Sequence, residues 1–274
     1  MAPANRSALS RDHPSGRLES FGVGGRAKRS QLLALSDTRD ISDLGDANSR
    51  VAAIAEIFTD QADLRGVFPL IYRIGLDAVA GALDEGCLRD PDWVKTFEIA
   101  FASRYLDNLH RHLAEDKTTP PWTAVYSRVD DGTATITTTL AAALNAHLIS
   151  DLPEALHTSD VRAHHILDYF ALSRLIWRTA PDVIGAVKRC YGSDLSPLYH
   201  AKLHISPIAV GSGRVPSSQE QLFHSVTGIA FARGCAMANP LARPLIRAQI
   251  ASGSWTASGV VDQLIRLGQL RIAI

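Results

Sequence analysis

The sequence contains a histidine–aspartate pair whose spacing could support catalysis. His147 and Asp151 lie in NAHLISDLPEAL, residues 145–156, after the apolar run TTTLAAAL. Residues three or four apart share one face of an α-helix, so the pair continues the stripe of Leu140 and Leu144. Because that stripe would face the core, we predict that both polar side chains are buried together.

Such a pair has two chemical uses. A buried carboxylate must be paired, hydrogen-bonded or metal-bound, because an ionised group left without a partner is strongly destabilising. Asp151 could fix the tautomer of His147, which would act as a general base, or both residues could bind one metal ion. Asn145 belongs to the same block and completes the predicted site.

Each residue of the pair also has a purely structural interpretation. Pro153 disfavours helical dihedral angles at Leu152, so one helix could end near Ser150 and Asp151 could cap the next. His147 could be a core histidine bonded to a backbone carbonyl. A capping role for Asp151 would not exclude a functional one.

A second polar cluster lies in DVRAHHILD, residues 160–168. Helical spacing would place Asp160, His164 and Asp168 on one face, with His165 beside them. Packed against the first cluster, it could complete a site for one divalent transition metal, and nitrogen and oxygen ligands suit zinc, iron or manganese. The four ligands would be His147, Asp151, His165 and Asp168. The alternative is a solvated helix end with Asp160 as its N-cap.

Two stretches of the sequence resemble the DUF5995 family of uncharacterised bacterial proteins. The longer one is IYRIGLDAVAGALDEGCLRDPDWVKTFEIAFASRYLDNL, residues 71–109, and the other is NAHLISDLPEAL. The family pattern joins an acidic-Pro-x-Trp turn, a Phe-x-x-x-Phe-x-x-x-Tyr helix, an aromatic segment matched by Pro121-Trp122, and an NAHI-x-x-DL block. Leu148 stands where the family usually has isoleucine.

This resemblance covers residues 70 to 170. It implies an all-helical fold and points to His147 and Asp151 as the site. It implies no reaction.

Composition limits the classes of partner. The chain has 274 residues, of which 46% are hydrophobic, and its 28 Lys and Arg balance its 28 Asp and Glu. A chain without net charge has no overall field to recruit nucleic acid or an anionic membrane. Its three cysteines form no CxxC pair, and it has neither an apolar leader nor a long uninterrupted apolar run. We therefore expect a soluble cytoplasmic protein without a nucleic-acid or membrane partner.

The elements that must position these residues are predicted to be helices. Residues 1–48 are rich in Ser, Arg, Gly and Asp, which predicts a flexible N-terminal arm. From residue 49 to 274 the apolar spacing is helical and predicts a single all-α bundle. After two early helices, further helices are expected at Pro91–His112, Thr133–Ser150, Pro153–Leu156, Asp160–Arg178, Asp182–Arg189, Ser218–Ala238 and Ser258–Leu270, with loops at residues 118–122 and 191–197.

These predictions combine into one hypothesis. The bundle encloses a cavity lined by His147, Asp151 and Asp168. The neighbours of this site would be Arg104, Tyr105, Trp93 and Trp122. The chain would be a small-molecule enzyme, with a metal-assisted hydrolase as one form. Two alternatives stay open: a metal-free cyclase, lyase or isomerase of secondary metabolism that works by proton transfer, and a non-catalytic ligand-binding protein.

Overall fold

The computed structural model describes residues 23–197 and 218–253, and its regular structure within these ranges is helical, which confirms the all-α prediction. The helices are α1 Val23–Ser36, α2 Leu44–Thr59, α3 Val67–Asp84, α4 Pro91–Leu113, α5 Pro120–Asp130, α6 Ile136–Asn145, α7 Leu152–Thr158, α8 Ile166–Arg178, α9 Ala180–Tyr191, α10 Ser218–Ala236 and α11, residues 243–253. A π-helical segment, Ala146–Asp151, joins α6 directly to α7. The predicted helix at Ser258–Leu270 lies outside the described residues.

Helix α4 connects the two main parts of the core. Asp90 caps its first turn by accepting a hydrogen bond from the backbone N–H of Trp93 at 3.0 Å, and Pro91 suits the first helical position. Farther along, Phe101 packs with residues of α7, α8 and α10. Tyr105 packs with residues of α1, α2, α5 and α6. The π-helical segment lies where these two clusters meet.

Helix α10 closes one side of the bundle against α7. A Cβ atom at Gly234 would lie 2.6 Å from Cβ of Leu156, closer than two side chains can pack. Glycine at this position therefore lets the two helices approach each other. The contact holds α10 beside α8 and the end of the π-helical segment.

The predicted flexible arm is wrong over the described residues from Val23 onward. Helix α1 packs against α2 and α4, and Leu32 is only 1% exposed in the core. The composition of residues 1–48 did not reveal helix α1, because the apolar residues of this helix are few and lie close to Leu32. Residues 1–22 of the predicted arm lie outside the described part of the chain.

Two further boundaries differ from the predictions. The expected loop at residues 118–122 contains the start of α5, because Pro120 and Pro121 occupy its first turn, where a missing N–H costs nothing. Helix α8 begins at Ile166 rather than Asp160, which is left-handed with φ 53° and therefore not an N-cap.

One stretch is long and apolar enough to cross a membrane by composition. It runs over Leu64–Asp84 and includes α3, and half of its apolar window is buried inside the bundle. A core helix of a globular protein has the same properties. The absence of a membrane partner stays a prediction.

We predict that shortening Leu32 destabilises the whole bundle. Leu32→Ala should lower the free energy of unfolding by about 2–5 kcal/mol, because it leaves a cavity in a packed core. Leu241→Ala is the control, since Leu241 is 91% exposed, and it should change stability by less than ~0.5 kcal/mol. Urea denaturation measures both. Equal, small effects would mean that α1 does not belong to the folded core.

Candidate functional site

A short hydrogen-bonded chain links α5 to the π-helical segment. The indole Nε1–H of Trp122 donates to Oδ2 of Asp151 at 2.8 Å, and Nδ1 of His147 lies 3.2 Å from the same oxygen. All three residues are almost fully buried. Because a carboxylate only accepts hydrogen bonds, Nδ1 must carry the proton, and the lone pair of His147 is on Nε2.

The imidazole of His147 is held by aromatic rings on several sides. It stacks on Phe101 with ring centroids 3.7 Å apart and planes 12° apart. Phe68 and Tyr72 meet it edge-on at 4.9 and 4.7 Å. These contacts and the bond to Asp151 fix the direction of Nε2, which has no hydrogen-bond partner among the described residues.

Burial also determines the charge of this site. Removal from water lowers the pKa of His147, and the hydrogen bond and negative charge of Asp151 oppose that shift only in part. A histidine with a lowered pKa is neutral at neutral pH. His147 therefore presents an unprotonated nitrogen, which can accept a proton or bind a metal.

The π-helical segment explains why Asp151 is free for this role. Pro153 has no N–H, and its ring would collide with the carbonyl four residues earlier in an α-helix. The wider π-turn accommodates it without a break, and Leu152 keeps helical angles, φ −60° and ψ −47°. The predicted helix end near Ser150 is therefore wrong. So is the capping role, because the side chain of Asp151 makes no capping hydrogen bond to α7.

His147 lines a cavity of about 360 Å³, a size suited to a small molecule. Its walls come from helices α3, α4 and α6 to α10 and from the π-helical segment, and most of the wall residues are apolar. Of the three residues predicted to line a cavity, the structure places only His147 there. Asp151 lies behind the imidazole, and Asp168 faces another part of the bundle.

Glu98 is a residue of this cavity that the sequence analysis missed. It is 6% exposed, and burial raises its pKa to about 8, so the carboxyl is mostly protonated at neutral pH. Helical spacing could have revealed it, since Glu98 follows Val94 by four residues and precedes Phe101 by three on the buried face of α4. A carboxyl group on an apolar stripe is the same signal that identified Asp151.

Three other polar residues of the cavity wall bond to the protein itself. Tyr169 donates its hydroxyl to the backbone oxygen of Thr227 at 2.7 Å. Oγ of Ser173 lies 2.8 Å from Nδ1 of His224 and 3.1 Å from Oγ1 of Thr227. These bonds tie α8 to α10. The hydroxyl of Tyr72, in contrast, is buried without a hydrogen-bond partner in the described structure.

The polar cluster of residues 160–168 does not lie against the pair of His147 and Asp151. Asp168 accepts hydrogen bonds from the backbone N–H groups of Arg89 and Asp90 at 2.9 and 2.8 Å, so its carboxylate stabilises the turn before α4. His165 stacks on Trp93 with centroids 4.1 Å apart. Neither residue contacts His147 or Asp151. The predicted four-ligand site is therefore not assembled.

Within the described ranges, one trio of potential metal ligands does converge. It consists of Asp90, His164 and His165, whose ligand atoms lie within 4.8 Å of one another. Nδ1 of His165 accepts the backbone N–H of Arg162 at 3.0 Å, so the proton of the neutral ring is on Nε2, which faces Asp90 at 3.4 Å. Metal binding through Nε2 would require the other tautomer and would break the hydrogen bond from Arg162. In the arrangement that the structure shows, the ring of His165 links the turn at Arg162 to the turn before α4.

The remaining predicted residues surround the site without facing the cavity. Tyr105 is buried and packs against Trp122, with centroids 5.5 Å apart. Arg104 points elsewhere, towards Glu154 at 3.7 Å, because consecutive residues of a helix lie about 100° apart around its axis. Asn145 is buried at the end of α6.

Comparisons with known proteins give one match. A family model described as a family of unknown function, DUF5995, matches residues 44–200, which is more than half of the chain. The matched region contains Glu98, Trp122, His147 and Asp151. No curated protein and no solved structure matches the chain.

We predict that the hydrogen bonds to Asp151 matter more for stability than its charge. Asp151→Leu leaves two buried N–H donors without an acceptor and should lower the free energy of unfolding by about 2–4 kcal/mol. Asp151→Asn keeps an oxygen acceptor and should cost ~1 kcal/mol or less. Chemical denaturation compares them, and NMR of the wild-type imidazole should show a protonated Nδ1. Equal losses, or a protonated Nε2, would contradict this geometry.

We also predict that Glu98 makes stability fall as the pH rises. Between about pH 4.5, the ordinary pKa, and about pH 8, the folded protein keeps a proton that the unfolded chain releases. Stability should then decline by at most roughly 1.4 kcal/mol per pH unit. Glu98→Gln has no group that ionises here, so it lacks this loss of stability. The free energy of unfolding of the variant should therefore exceed that of wild type by an amount that grows with pH and levels off above pH 8. Exposed Glu85→Gln is the control, and a constant difference for Glu98→Gln would contradict the prediction.

Proposed function

The chain belongs to the DUF5995 family, a family of unknown function, and we propose that it is an enzyme in which His147 acts as a general base on a small, largely apolar molecule. The observation that carries this proposal is that Nε2 of His147 has neither a proton nor a hydrogen-bond partner among the described residues. This nitrogen belongs to a neutral, buried imidazole on the cavity wall, and no described residue bonds to it. Its other nitrogen is anchored by Asp151.

The proposed step is one proton transfer. Nε2 takes a proton from a C–H or O–H group of the substrate, and the electron pair of that bond stays on the substrate. The imidazolium that forms is stabilised by the carboxylate of Asp151, which is itself held by Trp122. Returning the proton to another atom gives an isomerisation or a cyclisation, and loss of a leaving group gives an elimination.

The donor set supports proton transfer over a metal-assisted hydrolase. A catalytic metal site uses about three protein ligands. Nδ1 of His147 and Oδ2 of Asp151 are already engaged with each other, and Nε2 of His147 is the ring nitrogen that has no described hydrogen-bond partner. The apolar walls fit a reaction in which shape and position contribute much of the acceleration. A cytoplasmic location and a small-molecule partner belong to this proposal.

We predict that the protein opens the ring of a nitrobenzisoxazole, a probe whose C–H proton is removed by a base in an apolar site. His147→Gln should reduce kcat/KM by about a hundredfold or more, the usual contribution of a general base. Asp151→Asn should also reduce it by orders of magnitude, because an amide lacks the charge that stabilises the imidazolium. Since burial lowers the pKa of His147, the rate should fall only below pH 6.5.

Two control variants test whether the reaction takes place in the cavity. His164→Gln changes an exposed histidine outside the cavity and should leave the rate unchanged. Ala141→Leu adds volume to the cavity wall and should raise KM while His147 is intact. Activity that survives His147→Gln would overturn the proposal. Tight binding of the probe without turnover would favour the ligand-binding protein instead.

A further inference from the structure

We propose that the molecule bound in the cavity is a lipophilic amine, whose ammonium group pairs with the carboxylate of Glu98 while its apolar body fills the space among the aromatic rings. This inference rests on the proposed function in one respect, because it takes the molecule bound in the cavity to be the substrate of the proposed reaction. It assigns a role to Glu98, which proton transfer by His147 leaves unexplained.

The first observation is that Glu98 has no partner within the described structure. It lies on the cavity wall, 6% exposed, and no described residue forms a hydrogen bond or ion pair with its carboxyl group. An ionised carboxylate in such a place is destabilising unless a positive group accompanies it. A bound ammonium group would supply the missing charge and up to three hydrogen-bond donors.

The second observation is the nature of the cavity walls. Near Glu98, rings come from Tyr72 on α3, Phe97 and Phe101 on α4, and Tyr169 on α8. The faces of aromatic rings attract cations as well as apolar groups. Among the described residues that line the cavity there is no lysine or arginine, so these side chains offer an anion no permanent positive charge.

The third observation concerns the other titratable groups that face Glu98. Burial raises the pKa of Tyr72 and of Tyr169, so both hydroxyls stay neutral. Burial lowers the pKa of His147, on the π-helical segment, so it is neutral as well. Asp151 lies behind that imidazole. Between pH 6.5 and about 9, Glu98 is therefore the group of this wall whose charge changes.

Three molecules of one shape provide the test: cyclohexylmethylamine, cyclohexylmethanol and cyclohexanecarboxylate. Calorimetry with the full chain should show that the amine binds most tightly at about pH 9 and the carboxylate least. Since Glu98 ionises near pH 8, the amine should bind roughly a hundredfold more weakly at about pH 6, while the alcohol should keep its affinity. This comparison requires no variant.

Variants then assign the effect to one residue. Glu98→Gln keeps the shape of the side chain and should remove both the preference for the amine and its pH dependence. Glu85→Gln, on the surface, should keep both. An alcohol that binds as tightly as the amine at about pH 9, or a preference that survives Glu98→Gln, would overturn this inference.

The same measurements separate this inference from the proposed function, because binding requires no turnover. If the nitrobenzisoxazole probe reacts at His147 but the amine is not preferred, the amine inference fails and the general base stands. If the amine is preferred through Glu98 but His147→Gln changes no rate, the general base fails and the amine remains as a bound ligand only.

Discussion

One buried oxygen atom, Oδ2 of Asp151, accepts hydrogen bonds from two side chains of different elements, and the arrangement of the cavity depends on it. The bond from Trp122 positions α5 against the π-helical segment. The bond from His147 sets both the tautomer and the direction of the imidazole. Because a buried carboxylate without partners is strongly destabilising, each donor is needed for the fold as well as for the site. The stability of the fold and the orientation of the imidazole therefore depend on the same atoms.

Burial acts in opposite directions on His147 and Glu98, two titratable groups of the cavity wall. It removes the charge of His147 by lowering its pKa, and it removes the charge of Glu98 by raising its pKa. The same apolar walls thus produce an unprotonated base and a protonated acid at neutral pH. The two carboxyl groups act together on a third residue of the site, since burial first, and then the charges of Glu98 and Asp151, raise the pKa of Tyr72.

The sequence predicted the helical class, the inward stripe of α4 and the buried pair of His147 and Asp151, because all three follow from residue spacing along one helix. The sequence did not predict the role of a side chain where that role depends on a hydrogen-bond partner far away in the chain. The role of Asp168, for example, is determined by the turn before α4, whose N–H groups belong to Arg89 and Asp90. One local contact was missed as well, because the tautomer of His165 is determined by the backbone N–H of Arg162, three residues earlier. The π-helical segment accommodates Pro153 in a way that helical periodicity does not describe. Glu98 was visible in the spacing of α4, but the large aromatic residues around it dominated that pattern.

Helix α10 contributes Gln219, Phe223 and Thr227 to the cavity, although it lies beyond the region that matches the family. Glu98, Trp122, His147 and Asp151 all lie inside that region. The cavity thus combines polar groups from the region that matches the family with a part of its wall that comes from a segment outside that region. Substitutions in α10 can change the shape of the pocket while Glu98, Trp122, His147 and Asp151 keep their geometry. Such an arrangement lets the shape of a pocket change in evolution through one part of its wall, while the buried polar groups of the other part keep their positions.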